Sequence, residues 1–425
     1  MHARWLALTL LDAVLQRHQP FDDAIAQAAP RARLSAPDLA FARLLAATML
    51  RRLGQIDAVL ATLLSRPAAE TPPAARALLR LGLTQILFLG TPPHAVVDTA
   101  VTLAHRRRPQ APPSLINAVL RRAASAGGRL IEGHDAPRLN TPDWLWQAWT
   151  EAYGAETCRR IAAQHLETPP LDLTARDDPH AVAGALGGIV LPTGSVRLER
   201  AGVVTELAGY GEGAWWVQDA AAALPARLLG NVRGLRVIDL CAAPGGKTAQ
   251  LAAAGAEVIA VDAEPARLTR VAENLARLRL EAELIAADAT SWSPPAPADA
   301  VLIDAPCSAT GTIRRHPDVP WLKAPTDLAA LNGLQDRLLA AAVRMVRPGG
   351  RIVYCVCSLQ DEEGPARTAA FVHGGAPVQP LPVMADEIGG LDALVTADGA
   401  LRTLPCHLAA AGGLDGFFAM RFTRV

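Results

Sequence analysis

The segment Val237–Thr248, VIDLCAAPGGKT, carries the first chemical signal in the chain. An apolar run ends in Asp239, and Pro244-Gly245-Gly246 then turns sharply into a helix-like stretch from Lys247 to Ala254. A strand, a glycine turn and a helix N-terminus together make a seat for the negative end of a small cofactor. Two cysteines further along, Cys307 and Cys357, stand at the ends of two more apolar runs. A thiolate is a strong nucleophile and a usable leaving group. These features together predict a methyl donor and a nucleophilic sulfur in one pocket.

Two carboxylates extend the pattern. Asp262 ends the second strand, a little under about twenty residues past the glycine turn, where an acidic residue commonly holds ribose hydroxyls. Asp288 ends the third strand, where it could accept from an adenine amino group. The pair points to an adenosine-containing ligand, and NAD fits almost as well. Gly246-Lys247-Thr248 also matches the end of a phosphate-binding G-x-x-x-x-G-K-[ST] loop, and Ala300–Asp304 resembles a strand ending in a magnesium-holding Asp. However, the first glycine of that pattern falls on Cys241, and Asp262 is left without a role. An NTPase is the weaker reading.

The elements that must position these groups follow from periodicity. From about residue 213 the strand candidates are Arg236–Leu240, Glu257–Val261, Ala282–Ala287, Ala300–Ile303 and Arg351–Val356, with helical patterns at Pro265–Arg279 and Leu328–Val346. This alternation predicts a parallel sheet wrapped on both faces, with ligands at the carboxyl ends of its strands. Asp239, Cys241, Asp262, Asp288, Asp304, Cys307 and Cys357 all fall at such ends. By period-two geometry Cys355 shares a face with Cys357 but lies deeper, and it reads as packing.

Residues 1–125 read as all helix, with apolar spacing such as Trp5, Leu8, Leu11 and Leu15, broken at Pro72-Pro73, Pro92-Pro93 and Pro112-Pro113. Arginines cluster at Arg51-Arg52, Arg106-Arg107-Arg108 and Arg121-Arg122. Each cluster alone reads as a solvated face, and the three together suggest an RNA-facing surface. Residues 126–212 read as a small α+β linker module. It has helices around Trp144–Tyr153 and Thr157–His165, and strand-like pieces at Leu171–Leu173 and Val203–Thr205.

Composition sets outer limits. A chain of 425 residues exceeds one ordinary domain. Its net charge of +0 supplies no global attraction for a polyanion, so nucleic-acid binding would rest on local patches. Lys247 and Lys323 are the only lysines against a background of arginine, which suggests that the glycine turn wants a compact ammonium. The six cysteines, at 158, 241, 307, 355, 357 and 406, have neither zinc spacing nor the pattern of a secreted disulfide framework. No metal is expected. Met1–Arg17 is interrupted by Arg4, Asp12 and Arg17 and shows no cleavage pattern, and no run is long enough to span a bilayer. A cytoplasmic monomer with no membrane contact is therefore expected.

The strings DLCAAPGGKT, VDAEPARL, DAPCSATG, IRRHPD, YCVCSL and DGFFAMRF occur in this order from Leu235 to the C-terminus. This stretch resembles the Sun/Fmu family of RNA cytosine-C5 methyltransferases, which use S-adenosylmethionine. RLGLTQILFL, PPHAVVDTAVTLA and LINAVLRR resemble a NusB-like domain. The resemblance implies three parts: an all-α NusB-like bundle over 1–125, the linker module over 126–212, and a Rossmann-like α/β methyltransferase domain over 213–425. It implies small-subunit ribosomal RNA as substrate. It makes Cys357 the nucleophile and Cys307 the group that assists product release, an order that residue types alone leave open. Asp304 would hydrogen-bond the ring edge, and Lys247 would aid the base or a phosphate. The donor would be held by Cys241, Ala242, Ala243, Pro244, Gly245, Gly246, Lys247, Asp262, Arg267, Asp288 and Asp304. Arg314, Arg315 and His316 would grip flanking RNA, or else form a structural loop with Asp318 pairing an arginine. The chain departs from the family at Val356, where Thr is usual, at the extra Cys355, and at Ala309, where Gly is usual.

Overall fold

A computed structural model describes residues 1–106 and 110–425; Arg107 and Arg108 of the second arginine cluster lie outside the described residues. Contacts divide the chain into two units. One comprises Met1–Glu167 with Ile313–Lys323, and the other Thr168–Thr312 with Ala324–Val425.

The first unit is helical. Its helices are α1 (His2–Arg17), α2 (Phe21–Ala32), α3 (Ala36–Arg51), α4 (Leu53–Leu63), α5 (Pro73–Phe88), α6 (Pro93–Arg106), α7 (Pro113–Ala126), α8 (Ala136–Leu139), α9 (Asp143–Tyr153) and α10 (Ala155–His165). Leu6, Leu10 and Val14 of α1 and Leu45 and Met49 of α3 recur one turn apart and fill a common core with Leu78, Leu79 and Leu120. Each fully buried leucine contributes roughly 1.5–3 kcal/mol. The proline pairs start helices as well as separating them. Pro73, Pro93 and Pro113 each occupy a first helical position, where the missing N–H costs nothing.

Segment Ile313–Lys323 packs with these helices. Asp318 accepts the amide of Phe21 at 2.9 Å, satisfying an orphan donor at the start of α2, and the Trp321 indole donates to Leu50 O at 2.9 Å. Of the five described arginines in those clusters, three are spent on carbonyls. Arg51 donates to His165 O and Arg314 O, Arg52 to Leu166 O, and Arg122 to Leu63 O, while Arg121 stays exposed and bonds Asn117.

The second unit begins with an antiparallel sheet in the order β2-β3-β1-β4, from β1 (Leu171–Ala175), β2 (Ile189–Val190), β3 (Val196–Leu198) and β4 (Trp215–Val217), with α11 (Pro179–Leu186) after β1. Val203–Thr205, expected as a strand, lies instead at a 3₁₀ turn, Val204–Glu206. Asp172 and Arg197 form a bidentate ion pair inside this sheet, at 2.7 and 2.6 Å, with both side chains almost fully buried. Residues 126–212 thus do not hold together as one body: they divide after Glu167, helices to one unit and strands to the other.

The larger sheet contains β5 (Arg236–Leu240), β6 (Glu257–Asp262), β7 (Glu283–Ala286), β8 (Ala298–Asp304), β9 (Val346–Val356), β10 (Val378–Pro380), β11 (Leu401–Thr403) and β12 (Phe417–Arg424). Its order is β10-β12-β9-β8-β5-β6-β7, with β11 on β12. The strands β9-β8-β5-β6-β7 run parallel, and β12 joins β9 antiparallel. Side chains alternate between two cores. Ile238, Val301, Ile303, Ile352 and Tyr354 face Leu338, Leu339 and Ala342 of the helix Pro325–Met345. Val237, Ala300, Leu302 and Val353 face Leu224 of α12 (Leu224–Arg227) and Leu251 of α13 (Gly246–Ala253). The chain leaves β5 for β6 on one side and returns through β8 on the other. The carboxyl ends of β5 and β8 therefore flank the switch point where open α/β sheets bind ligands.

Candidate active site

β5 ends in Leu240, and the chain turns through Cys241 at φ 60° and Gly245 at φ 99° before α13 begins at Gly246. Gly245 is required twice over. Its φ is left-handed, and a Cβ there would stand 3.0 Å from Val271 Cγ1. Asp262 at the end of β6 accepts the Ala243 amide at 3.1 Å, and Arg267 donates to Ala243 O at 3.0 Å while pairing Asp262 at 3.3 Å. Asp262 and Arg267, expected as cofactor contacts, thus also brace the turn. Asp288 is exposed beyond β7 and caps its own turn through the amide and hydroxyl of Thr290, bonds that hold its carboxyl below the usual range.

Buried acids behave differently. Burial pushes the Asp239 carboxyl up to about 7, against the hydrogen bond from Thr248 at 2.6 Å. One Asp239 oxygen, Oδ1, is buried without a partner. Burial first, then Asp304, Asp262 and Asp239, push the Cys241 thiol up to about 12. Cys241 therefore keeps its proton and contributes shape and backbone to the turn.

Lys247, on the first turn of α13, reaches across the sheet end. Its Nζ is 2.6 Å from Asp304 Oδ2 and 5.3 Å from the centroid of the Phe417 ring. Burial opposes its charge, but Asp304 and Cys355 outweigh it and hold the ammonium above the ordinary lysine value. The other Asp304 oxygen accepts from Cys355 Sγ at 3.5 Å. This corrects the reading of Cys355 as packing alone: it pairs with Asp304 in the β8–β9 register and touches its carboxylate. Burial, then Asp304, holds the Cys355 thiol well above its usual range, so it donates rather than attacks.

Cys307 and Cys357 come from loops after β8 and β9, and their sulfurs are 3.4 Å apart. The hydrogen bond to Cys357, then burial, pushes the Cys307 thiol well up. Either sulfur can be the donor in this contact. Val356 lies in the opposite core, with Ile303 and Tyr354, while Cys355 and Cys357 pack on the other side. The hydroxyl that Thr would bring at 356 points away from Cys355 and Cys357, into the core against which Cys307 packs. Ala309 has φ 58°, which explains why glycine suits this position.

The structure does not bring Arg314 to a surface: its side chain is 0% exposed within the helical unit, so the guanidinium presents no face to a nucleic acid. Arg315 and His316 are partly exposed, and His316 Nδ1 lies 3.3 Å from Asp22. Asp318 contacts the Phe21 amide.

Sequence reasoning missed Glu363, Phe417 and the pair Gly311–Gly416. The amide of Gly416 donates to Gly311 O at 2.8 Å, and a Cβ on Gly311 would stand 1.9 Å from Gly416 O. The repeated Cys-Ser of PCS and VCS was the available signal for Glu363, because both serines bond it. Among the described residues, no group of three or more His, Cys, Asp or Glu is arranged to hold a metal, and no helix is long and apolar enough to cross a membrane.

Residues 226–423 match the family described as 16S rRNA methyltransferase RsmB/F, and residues 1–125 match the NusB family. The chain is 36% identical over 392 residues to the ribosomal RNA small subunit methyltransferase B of Pseudomonas putida, covering 87% of each chain. It is 35% identical over 358 residues to the protein of the same name from Vibrio cholerae, covering 78% of this chain and 82% of that one. In fold it is similar to the crystal structure of PH0851, with a TM-score of 0.75, 21% identity and 99% coverage of both chains. It is also similar to a methyltransferase homologue from Pyrococcus horikoshii, with a TM-score of 0.57, 23% identity, and coverage of 68% of this chain and 98% of that one.

Proposed function

The chain belongs to the RsmB/F family of 16S rRNA methyltransferases, and from that premise we propose that it makes 5-methylcytosine in small-subunit ribosomal RNA through a covalent Cys357 adduct. The single observation that carries this reading is the contact between the Cys307 and Cys357 sulfurs beside the Lys247–Asp304 pair.

S-adenosylmethionine suits the turn. Gly245 leaves backbone space at the head of α13, Asp262 and Asp288 offer carboxylates at successive strand ends, and the orphan oxygen of Asp239 suits a cationic donor group. Cys241, Ala242, Ala243, Pro244, Gly246 and Arg267 shape that seat. When bound, the donor supplies a sulfonium methyl for carbon 5 of the base.

Carbon 5 of cytosine is a poor nucleophile until a sulfur adds at carbon 6. Cys357 makes that bond, turning the ring into an enamine. Asp304, held by Lys247 and Cys355, faces the ring edge, and a proton held between its carboxyl and N3 offsets the negative charge that thiolate addition leaves on the ring. Once the methyl is on carbon 5, a base takes the carbon-5 proton, its electron pair re-forms the ring double bond and Cys357 leaves as a thiolate; Cys307, in contact with that sulfur, assists release. The base must leave its stack to reach the thiol, at a cost of a few kcal/mol that is least in a loop. Arg315 and His316 are the candidates for contacting RNA backbone. The reaction is assigned to a cytoplasmic monomer.

The test is a denaturing gel. Wild type, Cys307→Ala and Cys357→Ala are incubated with donor and separated ribosomal and transfer RNA. Cys307→Ala should accumulate a protein–RNA band, and Cys357→Ala should neither link nor methylate. The reverse pattern would exchange the two roles, and label confined to transfer RNA would remove the ribosomal assignment.

A further inference from the structure

Each cysteine is followed by a serine, and both serines end on one carboxylate. Glu363 is fully buried. Its Oε2 accepts from Ser308 Oγ at 2.5 Å and from Ser358 Oγ at 2.6 Å. Its Oε1 accepts from the Ser308 amide at 2.9 Å and from Gln335 Nε2 at 3.2 Å. Two oxygens thus receive four donors, the full capacity of a carboxylate. We propose that Glu363 is the positioning residue that sets the separation of Cys307 and Cys357, acting through Ser308 and Ser358; the inference rests on the catalytic assignment of those cysteines.

The surrounding bonds make the carboxylate a hub. Gln335 also donates to Pro306 O at 2.9 Å, so it grips the residue before Cys307. Tyr354 donates to Glu363 O at 2.7 Å and fixes the backbone from which the carboxylate projects. On the Cys357 side, Arg402 donates to Ser358 O at 2.7 Å and the Gln360 amide to Ser358 Oγ at 3.0 Å. Each serine hydroxyl has one proton and points it at the same carboxylate oxygen, while the two hydroxyl oxygens also lie 3.0 Å from each other. Displacing that oxygen moves both loops, and with them both sulfurs. Glutamine in place of Glu363 has the same shape but turns one acceptor into a donor. Whichever way its amide points, the four-donor arrangement is broken: either the two serine hydroxyls or the Ser308 amide and Gln335 must give up this acceptor. The charge of Glu363 also contributes to holding the Cys307 thiol up, after the effects of Cys357 and burial.

A purely structural carboxylate would stabilise the fold without setting this distance. Disulfide closure by diamide separates the two cases without using catalysis. One thiolate adds to the diazene N=N bond, and the second displaces that sulfur from nitrogen. The two electrons and two protons lost by the thiols end on the hydrazine product. The rate is followed by alkylation of remaining thiols and peptide mapping of the Cys307–Cys357 link. Glu363→Gln should close this link about tenfold more slowly than wild type, or slower still. It should also lower kcat with little change in donor affinity by calorimetry. Ser358→Ala, which removes one hydroxyl, should show a smaller slowing and carries the test if Glu363→Gln does not fold. Closure within about twofold of wild type in a folded Glu363→Gln protein overturns the inference. Glu363-dependent closure in a wild type that fails to methylate RNA upholds the positioning role and sinks the functional reading instead.

Discussion

The amide of Gly311 donates to the carbonyl of Cys357 at 3.0 Å, tying the loop after β8 to the end of β9 by backbone alone. Gly416 crosses the same point, leaving no room for a side chain. Gly311→Ala must therefore push the two loops apart. We expect a loss of about 2 kcal/mol or more in urea unfolding, with methylation falling more steeply than donor binding. Unchanged stability would mean that the Gly416 strand yields freely.

Ala309 tests the same loop in the opposite direction. Its φ of 58° is disfavoured for an L-residue. Ala309→Gly should raise stability by about 1 kcal/mol, the left-handed strain exceeding the entropy that glycine adds to the unfolded chain. A lower melting temperature would contradict this.

Lys247 and Asp304 should respond asymmetrically. Asp304→Asn leaves a buried ammonium without its counter-charge, whereas Lys247→Met leaves a carboxylate that is 31% exposed. The first change should cost roughly 2–3 kcal/mol in unfolding experiments and the second less. Both should abolish methylation if the pair supports the reacting ring.

His165 makes the helical unit sensitive to acid. Burial first, then Arg314 and Arg51, lower its folded pKa from 6.5 to about 3. The fold favours neutral imidazole, so this stability is fully present above 6.5 and is lost as pH falls toward 3. The loss approaches about 1.4 kcal/mol per pH unit. Asp239 works in the opposite sense, because its raised pKa costs stability as pH rises from about 4 to about 7. The difference between wild type and His165→Gln isolates the histidine. Their unfolding free energies should converge as pH drops from 7 to 5, and parallel curves would refute the assignment.

Arg314 and Arg315 should separate folding from RNA contact. Arg314 is buried, so Arg314→Gln should lower the melting temperature. Arg315 is partly exposed, so Arg315→Gln should leave folding intact, weaken RNA binding and reduce its salt slope by about 1. A salt slope that changes only with Arg314 would reverse the roles.

Periodicity and motif chemistry were enough to read the parallel strands, the glycine turn and the carboxylates at strand ends. Those signals are local: short continuous apolar runs mark β5, β8 and β9, and the backbone demand of Gly245 is written in its residue type. The antiparallel β12 was legible only as the string DGFFAMRF, because its partner β9 lies far away in sequence. The fates of the arginines were not legible at all, since the same residue serves as a solvated cation or as a donor to a buried carbonyl, depending on what packs over it. Cys355 looked like core until Asp304 came beside it, and nothing within the Asp-Glu-Glu run at 361–363 set Glu363 apart until two serines turned onto it. Residue type and spacing determined what chemistry this chain can do. Only tertiary packing decided which groups lose water and which partners replace it, and those contacts join positions that no local pattern links.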